Sequence, residues 1–230
     1  IVMFADSHIG ATFHAEKFEK LVKDMEAQDP DVLVILGDYV DDDTSKEDME
    51  ECCAVLGRAK IRGGIYYVYG NHDRGYYSME RRGYGGAELA AELEKNGVII
   101  LRDETVLIQD RFYLTGREDA SNRSRKSMEE LLKDLDKRYF TVILDHQPHD
   151  FETQEKSGVD LVLCGHTHGG WLFPFNKIPE MSGTDDKSYG REKRSGTEFI
   201  VSSGISEWAL KFKTGCPSEY VIIDVEGKKE

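Results

Sequence analysis

Apolar positions along this chain follow two rhythms that alternate. Residues 1–5, 32–36, 65–69, 140–144 and 159–164 are short continuous runs rich in β-branched and aromatic side chains, as expected of strands buried on both faces. Between the first two, Phe13, Phe18, Leu21, Val22 and Met25 recur at helical intervals with charges between them. That spacing predicts an amphipathic helix of about four turns, which Pro30 stops. A second helix is predicted over 44–56 from a polar cap, and a third over 87–95, where Asn96-Gly97 supplies residues tolerant of a left-handed exit. Strands alternating with helices in this way predict βαβ units and a mainly parallel sheet.

Further along, residues 98–101, 106–109 and 112–115 read as strands that begin a second sheet. Residues 127–136 read as a helix with Met128, Leu131, Leu132 and Leu135 on one face, capped by Ser127 with Glu130 three residues on. Residues 171–190 read as a loop-rich insertion, and 199–202 and 220–225 as late strands.

The polar residues that end the apolar runs carry the chemistry. The run at 65–69 closes on Gly70, where the backbone turns without a Cβ penalty, and then releases Asn71, His72 and Asp73. Taken alone, this is also how an ordinary polar turn looks. The pattern recurs with Asp6 and His8, Asp38, His146, and finally His166 and His168. Five of the seven histidines therefore stand at strand ends, the edge at which open α/β sheets bind ligands. Carboxylate, amide and imidazole together are the ingredients of a two-metal centre and suit Mn, Fe or Zn better than calcium. His14 and His149 fit no such position and read as structural or surface residues.

Composition narrows the picture. At 230 residues and 39% hydrophobic, one sizeable core and a single domain over 1–230 are expected. With 44 acidic against 30 basic residues and a net charge of -14, a broad nucleic-acid footprint is disfavoured. Cys52, Cys53, Cys164 and Cys216 show no CxxC spacing and read as free thiols. No apolar run approaches the ~20 residues of a membrane span. The chain opens directly in a strand with no initiator Met, so a piece of a longer chain is expected, and an anchor in the missing N-terminal part stays open.

Asp6-x-His8, Gly37-Asp38, Gly70-Asn71-His72-Asp73, the later His146 and Gly165-His166-Thr167-His168 together resemble the calcineurin-like metallophosphoesterase family, across essentially the whole chain. The tail from Ser203-Gly204-Ile205 to Cys216-Pro217 resembles a bacterial, membrane-associated branch, phosphodiesterase-like, in a wider group some of whose members cleave lipid pyrophosphates. The resemblance implies an α/β fold of the four-layer αββα sandwich type. It also implies two divalent ions, manganese first with iron or zinc as alternatives. Asp6, His8, Asp38 and His168 would hold one ion, and Asp38, Asn71, His146 and His166 the other, with Asp38 bridging. His72 would face the phosphate as general acid or leaving-group stabiliser, with Asp73 orienting its ring. Gln147 between His146 and Pro148 departs from the family pattern and alters what surrounds the ligand.

The expected reaction is hydrolysis of a phosphodiester or pyrophosphate by a metal-activated water, with phosphomonoester hydrolysis as the alternative. The substrate would be a small molecule or a lipid, with no specific nucleic acid. A non-catalytic scaffold is the rival reading, disfavoured because every motif position holds a competent side chain. The domain would be cytoplasmic or membrane-associated in a bacterium. Arg74, Arg81 and Arg82, in a segment over 74–86 that also carries tyrosines and glycines, are the candidate substrate-binding residues, on a segment expected to be mobile. Asn122, Arg123, Arg125 and Lys126 read as a surface patch.

Overall fold

The computed structural model describes residues 1–10, 14–75, 82–170, 173–206 and 214–227. In chain order the strands are β1 (Val2–Phe4), β2 (Leu33–Leu36), β3 (Ile65–Val68), β4 (Val98–Ile100), β5 (Glu104–Ile108), β6 (Phe112–Gly116), β7 (Phe140–Leu144), β8 (Leu161–Cys164), β9 (Gly190–Arg194), β10 (Thr197–Val201) and β11 (Val221–Ile222). They form two sheets, ordered β11-β1-β2-β3-β4 and β5-β6-β7-β8-β10-β9. Both are parallel at their centres and antiparallel only where β11, β5 and β9 pair.

Strict alternation along each strand sorts the apolar runs into three layers. Leu33, Ile35, Ile65 and Tyr67 point outward from the first sheet and pack with helices α1 (Ala15–Glu26), α2 (Lys46–Arg58) and α3 (Gly86–Lys95). Val34, Leu36, Tyr66 and Val68 point the other way and meet Leu114, Val142, Leu144, Leu161 and Leu163 of the second sheet. Ile143, Val162, Phe199 and Val201 then pack against Met128 and Leu131 of α4 (Met128–Leu132) and Phe151 of α5 (Phe151–Ser157). Helix, sheet, sheet and helix are therefore stacked as four layers. Each buried Leu, Ile or Phe stabilises this arrangement by about 1.5–3 kcal/mol relative to exposure. The runs are continuous in sequence because each strand has apolar neighbours on both faces.

Three elements differ from expectation. The helix expected over 127–136 has its capping box, with Ser127 Oγ accepting the Glu130 N–H at 3.2 Å and Glu130 accepting the Ser127 N–H at 2.9 Å. It nevertheless ends at Leu132, because Leu135 N–H bonds to Leu132 in a tighter turn and Asp136 Oδ1 captures the Arg138 N–H at 3.0 Å. Helix α5 and strand β9 carry too little apolar periodicity to be read from sequence. The first buries only Phe151 and Gln154, and the second, Gly-Arg-Glu-Lys-Arg, is defined by its pairing with β10. Within the 171–190 insertion the described residues form a 3-10 turn at Phe175–Lys177 and α6 (Ile178–Ser182). Cys52, Cys53, Cys164 and Cys216 are free thiols. Among the described residues no helix is long and apolar enough to cross a membrane.

Candidate metal centre

The parallel ladders do not stop where the strands end, and this delivers the polar residues to one place. Beyond β1 and β2, Asp6 N–H bonds to Gly37, His8 N–H to Asp38 and Ile9 N–H to Tyr39, each at 3.1 Å. Beyond β7 and β8, Asp145 N–H bonds to Leu163 and Gly165 N–H to His146. Two glycines allow the loops to approach this closely. A Cβ at Gly37 would lie 2.4 Å from Gly70 N, and one at Gly70 would lie 2.2 Å from Asp38 Oδ1.

Asp6, His8, Asp38, His166 and His168 all have φ between 39° and 73°, a region non-glycine residues seldom adopt. Such backbone costs on the order of 1–3 kcal/mol per residue and concentrates at functional sites, where surrounding contacts enforce it. Here the contacts cross between the sheets. Asp6 accepts the His166 N–H at 3.0 Å, and His146 Nδ1 lies 2.5 Å from the Leu36 carbonyl. The latter fixes the proton on Nδ1 and leaves the His146 Nε2 lone pair for a ligand.

Among the described residues the motif donors make two groups, Asp6 with His8 and His168, and Asp38 with His146 and His166, each with ligand atoms within 4.8 Å of one another, and His166 is shared with a third such group that adds His149 and Asp185. In the first, His8 and His168 Nε2 are 3.2 Å apart and Asp6 Oδ1 is 3.9 Å from His168 Nε2. In the second, His146 Nε2 lies 3.2 Å from Asp38 Oδ2 and 3.2 Å from Asn71 Oδ1. The same Asp38 oxygen is 3.9 Å from His8 Nε2, so one carboxylate stands between the groups.

Electrostatics show that the cluster suits cations. Burial, opposed by His146 and reinforced by Asp38, pushes the Asp6 carboxyl up to about 7. Burial also opposes ionisation of Asp38, yet the His146, His8 and His72 rings hold its carboxyl below the usual range. Burial and the neighbouring His146 push His166 down to about 4, which keeps its ring neutral, and its Nδ1 is buried with no hydrogen-bond partner. Buried carboxyl groups beside imidazoles, among them the neutral His166 ring with its orphaned Nδ1, are a donor set that fits divalent metal ions.

The remaining site residues behave less uniformly. His72 is half-buried, its backbone N–H donating to Asp38 Oδ1 at 2.9 Å and its ring edge-on to His8 with centroids 5.2 Å apart. Asp73 does not orient that ring. Its carboxylate accepts the backbone N–H groups of Asp38, Tyr39, Val40 and Gly70, at 2.6 to 3.1 Å, and so staples the loop after β2 to the loop after β3. Arg82 is corrected in the same way. It is buried, and its guanidinium donates to the carbonyls of Tyr84, Asp41 and Asp73, so it braces the loop instead of facing substrate. Arg74 is half-exposed, paired at 2.9 Å through both terminal nitrogens with Glu118 and lying 4.1 Å over the Tyr69 ring. Arg81 and the rest of 76–81 lie outside the described residues.

Two features escaped the sequence. Arg125 is not a surface residue. With Arg117 and Gln154 it surrounds the buried Asp145 carboxylate at 2.8 to 3.1 Å, directly before His146. On the other side of His146, Gln147 donates to Asp119 at 2.8 Å, so the unusual glutamine anchors the ligand's other flank. Second, His149 pairs with Asp185 at 2.8 Å and its ring lies edge-on to His166 at 5.7 Å. The recurrence of His146-x-x-His149 was the available signal, but its partner is 36 residues away.

A model of the calcineurin-like phosphoesterase family matches residues 1–170. A metallophosphoesterase of Campylobacter jejuni is 30% identical over 234 residues, which cover 100% of this chain and 59% of the relative. A transmembrane protein with metallophosphoesterase domain from Danio rerio is 31% identical over 188 residues, covering 76% of this chain and 41% of the relative. The chain thus spans less than two thirds of the length of these relatives. Among solved structures, a dimetal phosphatase from Danio rerio is similar with a TM-score of 0.54 and 14% identity, over 88% of this chain and 86% of the other, a likeness of fold.

Proposed function

The chain belongs to the calcineurin-like phosphoesterase family, and on that premise we propose that it is a metal-dependent phosphohydrolase cleaving a phosphodiester or pyrophosphate bond. The observation that carries the proposal is the Asp38 carboxylate, set between two groups of buried ligands from two different sheets. Asp6, His8, Asp38 and His168 would hold one divalent ion, and Asp38, Asn71, His146 and His166 the second, manganese being the first candidate. Bound there, such a pair supplies charge compensation for a phosphate and an acidified water, which is how an acidic protein can accept an anionic ester.

The protein's own contribution is positional. Asp73 and the His146–Leu36 contact hold the loops that carry the donors, and in this reading His72 would donate a hydrogen bond to the departing oxygen. Burial lowers the His72 pKa, so at neutral pH its ring acts as a neutral N–H donor. A membrane-associated setting belongs to the same proposal, supported by relatives named as transmembrane proteins with metallophosphoesterase domain.

The test is a panel of aryl phosphodiesters, pyrophosphates and aryl phosphomonoesters with Mn, Fe or Zn added to stripped protein. Metal-dependent turnover with a preference for diester or pyrophosphate is expected. Preference for monoesters would replace the reaction assigned, and metal binding without turnover on any ester would leave a scaffold.

A further inference from the structure

Past His168, the last ligand in the chain, residues 173–181 present an apolar surface. Phe173, Phe175, Ile178 and Met181 are 70, 62, 53 and 85% exposed, and they make up half of the large apolar side chains exposed among the described residues. The other such residues are scattered, whereas these four fall within nine positions. Isolated exposed apolar residues are ordinary, but a cluster of this kind marks a binding surface.

The cluster is fastened to the ligand loops on two sides. Gly170, two residues past His168, lies so close to Asn176 that a Cβ there would meet its carbonyl oxygen at 1.9 Å. Thr167, between His166 and His168, donates to the Ser188 carbonyl at 2.6 Å, and Ser188 N–H donates to Glu180 of α6 at 2.6 Å. Asp185 N–H bonds to the Pro179 carbonyl at 3.2 Å while its carboxylate pairs with His149, whose ring touches His166. The segment that carries the apolar side chains is therefore joined by contacts to both ligand-bearing loops.

We propose that this surface receives the hydrocarbon part of the substrate, which makes the substrate a phosphorylated amphiphile whose phosphate lies at the ligand groups and whose chain lies along 173–181. The inference rests on reading those groups as a phosphoesterase centre. Phenylalanine and methionine suit a flexible chain, since the thioether adapts its shape and the rings give broad apolar faces. A second copy of the protein is a poorer fit. Four such side chains present on the order of 500 Å², below the ~800 Å² per partner of a standard stable interface. A bilayer anchor would serve from any face of the molecule, whereas this one is tied to both ligand-bearing loops.

Binding of monomeric alkyl phosphates of increasing chain length to manganese-loaded protein, measured by calorimetry, tests the proposal. Affinity is expected to rise about two- to fourfold per methylene in the native protein until the surface is covered. In the Phe175→Ser/Met181→Ser double variant the rise per methylene should fall to near unity, with circular dichroism and metal content unchanged. Ile178→Ser, a milder variant, should give an intermediate slope. An equal slope in native and double-variant protein would overturn the proposal. So would a flat native series with binding to phosphatidylcholine vesicles, which would make the surface a bilayer anchor, or with a concentration-dependent dimer lost in the variant, which would make it a self-association face. Turnover of short aryl esters separates the two readings: a flat slope with normal turnover removes only this inference. Absence of both turnover and methyl phosphate binding removes the phosphoesterase reading itself.

Discussion

Three residues within a few ångströms have separable duties, and substitutions should separate them. One Asp38 oxygen lies 3.2 Å from His146 Nε2 and 3.9 Å from His8 Nε2, so Asp38→Ala should lose both metals, measured by elemental analysis of the purified protein. Full retention of two ions would remove its bridging role. His72 donates its backbone N–H to Asp38, a bond that alanine keeps, so His72→Ala should keep both metals and lose turnover by roughly 10²- to 10⁴-fold, most for poor leaving groups. Equal losses for good and poor leaving groups would make it a phosphate-positioning residue. Asp73 accepts four backbone N–H groups, and an amide in its place turns one acceptor oxygen into a donor facing donors. Asp73→Asn should therefore destabilise the fold by about 2–4 kcal/mol. Unchanged thermal unfolding with a selective loss on poor leaving groups would instead restore it as a partner of the His72 ring.

At the level of elements, each ligand is the last word of a strand, and what differs is how the loop that follows is held. The loops after β1, β2 and β3 are held by extended ladders, glycine contacts and Asp73. The loop after β7 also keeps its ladder to β8 and is held further by charge. Arg117 is 3% exposed and bonds both Asp145 and Asp150, while Arg125 takes the other Asp145 oxygen. Removing one partner of such a buried set leaves an uncompensated carboxylate, so Arg117→Met should cost about 3–5 kcal/mol. Arg117→Lys should recover part of it, because both carboxylates are bonded through the one nitrogen Nη1, which a single ammonium can imitate as far as its shorter, more flexible stem reaches. Calorimetric unfolding decides this, and a change under about 1 kcal/mol would show that the network carries little of the loop's rigidity.

For the molecule as a whole, the ligands come from both sheets, so metal binding ties two layers together. At a metal concentration of 100 Kd each site adds about 2.7 kcal/mol to the folded state, and stripping two sites should lower Tm by roughly 10–20 °C. The metal-free protein should also carry a distinctive pH dependence. His8 and His146 are raised above the ordinary histidine value by neighbouring carboxylates, although burial opposes it. Their contribution is complete below about pH 6.5 and is lost as pH rises through the folded values. Asp6, raised to about 7, acts in the same direction but earlier, over about pH 4 to 7, because its ionised form is costlier folded than unfolded. His166 and His72, lowered by burial, act oppositely below pH 6.5. Stripped protein should therefore lose Tm from about pH 6.5 upward. Saturating metal should flatten or reverse that slope, since the ions displace the same protons. A Tm independent of pH in the stripped protein would contradict this account.

The alternating rhythm of the chain by itself determined most of the strand and helix order, α5, α6 and β9 excepted, because a strand with apolar neighbours on both faces needs an uninterrupted apolar run and a covering helix needs a stripe. It also determined which residues end the strands, since Gly37 and Gly70 are required wherever backbones approach within contact distance. Only the tertiary structure decided which polar residues belong to chemistry and which to scaffolding. Asp73, Arg82 and Arg125 are as polar in sequence as Asp38 and His72, but their partners are backbone groups or carboxylates that arrive from distant segments. Asp145 meets Arg117 across 28 residues and His149 meets Asp185 across 36, contacts that no local spacing encodes. Sequence carries what is local along one strand, and the approach of two sheets decides the rest.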